Sequence, residues 1–334
     1  MGTQISGLIT TEEIDLKKLA GKRLAVDAFN WLYQFLSIIR GADGDLLRDS
    51  QGRVTSHLSG AFYRNINLIE EGVNLIYVFD GKAPDFKAGE QERRMNVKKE
   101  AEKAMVAAKE RGDMEAARKF AMRTARLDGE MIQDAKELLT AMGVAVVQAP
   151  SEGEALCSQM VQKGEAWALA TQDYDALLFG SPRIVRNLSL SGKRRYGKGD
   201  YVSVNPELVE LNKVLKELEI TLDQLRVIGL LVGTDYNPKG IYGIGPKKAL
   251  DLVKKKSIKE IFSDLQWEFA YSPQDIIDFF ENPPKGKYEI KFPKLDAKKI
   301  RKILCDEHNF SGDRVENAIR RLEERECGGL KRFA

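Results

Sequence analysis

Four short apolar runs restrict the fold more than any other feature of the chain. Lys22-Arg-Leu-Ala-Val-Asp27, Asn74-Leu-Ile-Tyr-Val-Phe-Asp80, Val144-Ala-Val-Val147 and Ala166-Trp-Ala-Leu-Ala170 are too brief for self-sufficient helices. They run apolar without alternation, as strands covered on both faces do. Patterns of helical period lie between them, through Trp31, Leu32, Phe35 and Leu36 and again over 56–71. Strands alternating with helices predict an α/β fold with a mainly parallel central sheet flanked by helices.

Acids follow every one of these runs. Asp27 ends the first and Asp80 the second. Glu152 and Glu154 follow the third, and Asp173 and Asp175 end the fourth. In an open parallel sheet, ligands bind in the crevice beyond the carboxyl ends of the strands, so acids delivered there by several strands converge. Any one of them reads equally well as a helix cap, and Ser151 with Glu154 fits an S-x-x-E capping box. Capping uses one acid per helix, whereas here two positions supply a pair. Packed carboxylates repel, and some take up protons unless a cation compensates them. Oxygen donors of this kind suit a hard divalent cation, Mg2+ first of all. A pair of such ions acts on phosphodiesters by activating water and stabilising the leaving oxygen.

Other chemistries fit less well. The 334 residues hold 43% hydrophobic and 31% charged side chains, the balance of a soluble globular protein. No apolar run nears the roughly 20 residues that span a bilayer. Cys157, Cys305 and Cys327 are scattered, with no C-x-x-C pair, which argues against zinc and a disulfide framework and for a reducing interior. There is no G-x-x-x-x-G-K-[ST] loop, and His57 and His308 read as structural residues rather than members of a triad. Met1-Gly2 fits the loose myristoylation pattern, but nothing else in the chain suggests a membrane.

Two segments carry positive charge. Residues 82–126 hold thirteen Lys and Arg against eight Asp and Glu, a surplus above the +3 of the whole chain. They predict helices outside the main core, broken at Gly112-Asp113, and a merely solvated helical pair is the alternative. Further on, Asp235 precedes Gly243-Ile-Gly245-Pro-Lys-Lys248. Lys248 stands where a dinucleotide fingerprint needs its third glycine. The segment predicts a tight hairpin between two helices, with Gly243 and Gly245 allowing the turn and Pro246 at the first helical position. Free N–H groups there, beside Lys247 and Lys248, suit a phosphate; a plain helix–helix turn is the alternative. From Asp200 onward the pattern is mostly helical.

With these residues in view, the chain closely resembles the flap endonucleases, structure-specific 5′ nucleases, in their archaeal form. The resemblance rests on VDAFNWLYQFL (26–36), TSHLSGAFYR (55–64), VFDGKAPDFKAGE (78–90), APSEGEA (149–155), ATQDYDALLFG (170–180) and GTDYNPKGIYGIGPKKA (233–249). It implies a PIN-like 5′-nuclease fold, with Asp27, Asp80, Glu152, Glu154, Asp173, Asp175 and Asp235 as metal carboxylates. Lys87 and Arg94 match the basic pair that faces the scissile phosphate, and their i, i+7 spacing puts them on one helix face. Tyr33 matches an aromatic that stacks on a base, although a core tyrosine is the alternative. Gly2 matches an N-terminus exposed after Met1 removal. Gly243, Gly245, Lys247 and Lys248 match the duplex grip, with K+ as its monovalent cation. Phe310 lies in a segment resembling the receptor of one unpaired 3′ nucleotide, where His308 replaces the family's frequent lysine.

The implied organisation is a single nuclease domain over 1–334. It comprises an N-terminal part (1–81), a basic helical arch (82–128), an internal part (129–232), a helix-hairpin-helix-type motif (233–256) and a mostly helical C-terminal part (257–334). The implied activity is Mg2+-dependent cleavage of 5′ flaps on branched DNA, with Mn2+ as a substitute ion and a 5′–3′ exonuclease alongside. A sister nuclease for bubbles, gaps or four-way junctions is one alternative, and a non-catalytic junction binder is another. The ending Gly329-Leu-Lys-Arg-Phe-Ala334 lacks the tail by which relatives bind the sliding clamp. A monomer in the archaeal cytoplasm, or in a nucleus if eukaryotic, is expected.

Overall fold

The computed structural model describes residues 3–41, 44–84, 87–121, 124, 126–190, 192–196 and 200–330. The side chains at 88–92, 94, 118, 121, 190, 192–196, 200–203 and 326–330 are outside that description. In chain order come β1 (Glu12–Glu13), β2 (Arg23–Asp27), α1 (Ala28–Ile38), α2 (Ser56–Glu70) and β3 (Asn74–Phe79). Next are α3 (Ala88–Glu110), α4 (Met114–Ala121), α5 (Gly129–Ala141), β4 (Ala145–Gln148), α6 (Gly153–Gln162) and β5 (Ala168–Ala170). A one-turn α7 (Asp175–Leu178) leads to β6 (Arg183–Arg186), β7 (Gly192–Tyr196), β8 (Asp200–Val204) and β9 (Glu207–Glu210). The rest is helical: α8 (Leu211–Leu218), α9 (Leu222–Val232), α10 (Pro246–Lys255), α11 (Ile258–Ser263), α12 (Pro273–Glu281), α13 (Ala297–Arg301) and α14 (Gly312–Leu330).

Seven strands form one sheet in the order β1-β9-β6-β5-β2-β3-β4. The five strands from β6 to β4 run parallel, while β9 pairs with β6, and β1 with β9, antiparallel. Strand order therefore reverses between β2 and β5. That reversal opens a crevice at their carboxyl ends, because the connections leave towards opposite faces there. β7 and β8 form a separate antiparallel ribbon.

Alternation along each strand explains why the sheet is covered twice. Leu24 and Val26 of β2, and Leu75, Tyr77 and Phe79 of β3, pack among side chains of α1, α2, α5 and α14. Their neighbours Ala25, Ile76 and Val78 belong to the other layer, with α6, α7 and α9. Trp31 of α1 meets Tyr77 edge-on at 5.7 Å between ring centroids, a pairing that adds about 1 kcal/mol to the burial itself. Tyr77 satisfies its hydroxyl on Asn65 Oδ1 at 3.0 Å. The apolar runs are thus continuous because neither face of a strand meets water.

The basic segment forms α3 and α4, with Gly112 at a φ of +74° in the break between them. Ala101 and Ala108 of α3 and Ala117 of α4 are buried, yet among the described residues neither helix contributes to the core layers. Small residues let α3 and α4 approach each other while their charged faces stay in water.

Four local expectations differ from the structure. Residues after 200 are not immediately helical: β8 and β9 come first, and β9 extends the main sheet. Glu207-Leu-Val-Glu210 is short and acidic, so only its pairing with β6 on one side and β1 on the other gives it a strand's role. Asp173 and Asp175 do not end a strand. β5 stops at Ala170, Asp173 lies in the following turn and Asp175 opens α7. The Ser151–Glu154 capping box is absent, since Glu152 is the N-cap of α6 and its side chain makes no capping bond. The segment before α10 is no tight hairpin but a long loop from Val232 to Pro246, pinned internally by Asn237.

Candidate active site

Parallel strands place their carboxyl ends on one edge, and the acids gather there. Asp27 closes β2 and caps α1, its Oδ1 accepting from the Asn30 N–H at 3.0 Å. Asp80 follows β3 and accepts the Gly153 N–H at 2.7 Å, so an acid from another loop satisfies the start of α6. Only glycine permits this approach, because a Cβ on residue 153 would lie 2.7 Å from Asp80 Oδ1. Glu152 and Glu154 flank Gly153. Asp173 leaves β5 through a turn in which its N–H donates to Thr171 Oγ1 at 3.1 Å. Asp175 accepts the Thr3 N–H at 2.6 Å and the Thr3 hydroxyl as well.

Asp235 arrives from the loop after α9. That loop folds back on itself through two glycines, Gly233 at a φ of +110° and Gly240 at +57°. A Cβ on Gly240 would sit 2.4 Å from the Leu231 carbonyl oxygen, so backbone meets backbone here without room for a side chain. Next to Asp235, Tyr236 packs its ring against Phe279 and Phe280, each at 5.3 Å. Its hydroxyl donates to Glu152 Oε2 at 2.8 Å.

Lys87, at the N-cap of α3, enters this group of acids. Its Nζ lies 2.7 Å from Glu152 Oε2 and 3.5 Å from Asp235 Oδ2. Burial works against its charge, but Glu152 and then Asp235 outweigh burial and hold the ammonium above its ordinary pKa. The acids show the opposite strain. Burial, then Asp80, push Asp27 up to about 8. Burial raises Asp80 to about 6 with help from Glu152, although the Gly153 N–H pulls it down. Asp175 rises to about 7 through burial, then Asp235 and Asp173. Glu154 is driven well above the usual range by burial, Asp175, Asp173 and Asp27. Asp27, Asp80, Glu154 and Asp175 thus feel their acidic neighbours, and among the described residues the Lys87 ammonium does not balance them.

The donor set fits a hard divalent cation: oxygen only, crowded, and short of positive charge. Among the described residues, no three or more His, Cys, Asp or Glu side chains stand ready-made around a single ion position. The carboxylate oxygens instead engage Lys87, Thr3, Asn30, Tyr236 and the Gly153 N–H. Like charges spread onto protein donors when nothing else holds them together.

Other sequence-marked residues lie around this centre. Tyr33 on α1 is half-buried, beneath the Lys98 ammonium of α3 at 4.6 Å from its ring centroid. Arg94 lies two turns along α3 from Lys87, with its side chain outside the described residues, and Gly2 lies wholly outside them. Gly243 and Gly245 are exposed on the loop into α10, and Lys247 and Lys248 are exposed in its first turn. Pro246 opens that helix as the sequence predicts, and Lys248 Nζ donates to the Gly243 carbonyl at 3.2 Å. Phe310 is partly buried against the α1–α2–α5 layer. His308 is a structural bridge, with Nδ1 3.1 Å from Asp49 and Nε2 3.3 Å from Asp134. Thr3, Asn30 and Tyr236 are polar partners that sequence reasoning missed. No local motif marks them, since each bond depends on segments far apart in the chain.

A parallel sheet that gathers seven carboxylates and a lysine at the carboxyl ends of its strands has the layout of a phosphodiester-cleaving nuclease. Comparison with known proteins narrows the class. Residues 3–101 match the XPG N-terminal domain and residues 143–235 the XPG I-region. The chain is 53% identical over 326 residues to flap endonuclease 1 of Thermococcus onnurineus, covering 97% of this chain and 95% of that one. Flap endonuclease-1 from Methanococcus jannaschii superposes with a TM-score of 0.77 at 40% identity, covering 98% of this chain and all of the other. The catalytic core of Rad2 in complex with DNA substrate shares the fold, with a TM-score of 0.63 at 20% identity over 95% and 97% of the two chains. The chain belongs to the flap endonuclease family of structure-specific nucleases. Nucleases of this kind generally use divalent metal ions. Among the described residues, no helix is long and apolar enough to cross a membrane.

Proposed function

We propose that the chain removes 5′ flaps from branched DNA by Mg2+-dependent hydrolysis, in Okazaki-fragment maturation and repair, with a 5′–3′ exonuclease activity on the same site. The observation that carries this reading is the convergence of Asp27, Asp80, Glu152, Glu154 and Asp235 around Lys87. Asp27, Asp80, Glu152, Glu154, Asp173, Asp175 and Asp235 would hold a pair of Mg2+ ions, with Mn2+ as a substitute. When bound, such ions supply a nucleophilic water and neutralise charge on the leaving oxygen.

The chain's own side chains do the rest. Lys87 and Arg94 place positive charge where the scissile phosphate gains negative charge. For Lys87 this means exchanging its present partners, Glu152 and Asp235, for phosphate oxygens. Tyr236 keeps Glu152 oriented through its hydroxyl. Thr3 steadies Asp175 through its N–H and hydroxyl. Tyr33 stacks on a base beside the cut, and α3 with α4 form an arch over it. Gly243, Gly245, Lys247 and Lys248 grip duplex backbone with K+, and Phe310 meets a 3′ nucleotide. Phosphate contacts of this kind fix position and read shape rather than sequence. The parts 1–81, 82–128, 129–232, 233–256 and 257–334 act as one nuclease unit, monomeric and cytoplasmic.

A labelled double-flap DNA incubated with Mg2+ and then with EDTA tests the reading. Cleavage near the junction is expected with Mg2+ and not with EDTA. Binding without any metal-dependent cut would refute it in favour of a junction binder. Faster cleavage of bubbles or four-way junctions would reassign the substrate.

A further inference from the structure

Asn30 joins a candidate metal carboxylate at the end of β2 to another in the turn after β5, through its backbone N–H and both ends of its side-chain amide. Its backbone N–H donates to Asp27 Oδ1 at 3.0 Å. Its side-chain Oδ1 accepts the Gln172 N–H at 3.3 Å, and its Nδ2 donates to Asp173 Oδ2 at 2.9 Å. The orientation of the amide is forced. A backbone N–H only donates, so the oxygen must face Gln172, which leaves the NH2 for the carboxylate of Asp173. The turn it meets is tied from the other side too, since Arg186 Nε donates to the Gln172 carbonyl at 3.2 Å.

We infer that Asn30 is a positioning residue that holds Asp173 against the Asp27 end of β2 and so sets the geometry of metal binding. This rests on the proposed assignment of Asp27 and Asp173 as metal carboxylates. Asp27 and Asp173 repel across the reversal point of the sheet. Nothing in β2–β5 pairing restrains Asp173, because that pairing ends at Val26 with Ala170. The side chain of Asn30 spans the gap instead. Its substitution leaves the cap of α1 intact, because the cap uses the backbone N–H. Partners that orient a ligand typically matter about 10- to 100-fold in metal affinity.

The test is Mn2+ binding to the free, full-length protein by electron paramagnetic resonance, alongside flap cleavage as a function of Mg2+ concentration. Asn30→Leu is expected to raise the Mn2+ Kd about tenfold or more and to shift the Mg2+ midpoint equally, with flap-DNA affinity unchanged. In an Asp173→Ala background the same substitution is expected to add nothing, because both changes remove one interaction. Asn30→Ser, smaller and still polar but too short to span both groups, is expected to weaken Mn2+ as Asn30→Leu does and guards against a folding defect. Wild-type Mn2+ affinity in both variants, or an equal loss with and without Asp173, would overturn the inference. If the wild type itself neither binds Mn2+ nor cleaves, the proposed function falls instead.

Discussion

Crowded carboxylates without a cation should cost stability, and Asp175→Asn measures that cost. Asp175 sits 5% exposed between Asp173, Asp235 and Glu154, with a pKa of about 7 in place of 3.8. At about 1.36 kcal/mol per unit, that rise corresponds to about 4 kcal/mol. For an acid whose folded pKa is raised, the penalty is absent below 3.8, grows with pH and is complete above about 7. Asparagine keeps the oxygen that accepts from Thr3 and removes the charge. Part of the penalty stays with the remaining acids, so the gain should be about half, roughly 2 kcal/mol. For a chain of 334 residues this equals a rise in Tm of roughly 3 °C. Thermal unfolding in EDTA at pH 7.5 should show that increase, shrinking towards pH 5. Mg2+ should then stabilise the wild type more than the variant. A lower Tm for the variant in EDTA at pH 7.5, or the same increment at both pH values, would refute the crowding argument.

Two further outcomes follow from individual residues. Lys87→Ala should slow the chemical step about 100-fold in single-turnover cleavage, the scale of losing one charge-stabilising donor; an unchanged rate constant would remove its assigned role. His57 is fully buried, and burial followed by His308 lowers its pKa from 6.5 to about 4, against the opposing pull of Asp128 and the Met131 backbone. Its neutral form therefore supports folding fully above pH 6.5, and that support is lost as pH falls towards 4, by about 3 kcal/mol. Urea unfolding from pH 7 to 4 should show the wild type losing that much more than His57→Phe, and parallel profiles would exclude the effect.

The sheet was legible because its strands are buried twice. Leu24-Ala-Val26 and Leu75–Phe79 must be apolar at every position, and the acids that follow cannot remain in such a core. The positions of Asp27 and Asp80 came with them. The antiparallel end of the sheet escaped notice, because Glu12–Glu13 is exposed, Glu207–Glu210 is only partly buried, and both carry the composition of loops. The capping box failed for a related reason. The Gly153 N–H could be satisfied locally or at a distance, and Asp80, seventy-three residues earlier, reaches it. Thr3, Asn30 and Tyr236 were invisible for the same cause: a single polar side chain has no periodicity, and its partner is defined only once the sheet brings β2, β5 and the loop after α9 together.

The central claim is that the converged carboxylates do the cutting while other surfaces choose the substrate. Asp175→Ala, assayed for double-flap binding and for single-turnover cleavage in saturating Mg2+, separates the two. The account predicts flap-DNA affinity close to wild type and cleavage slowed by about 10³-fold or more. Cleavage at the wild-type rate would contradict it.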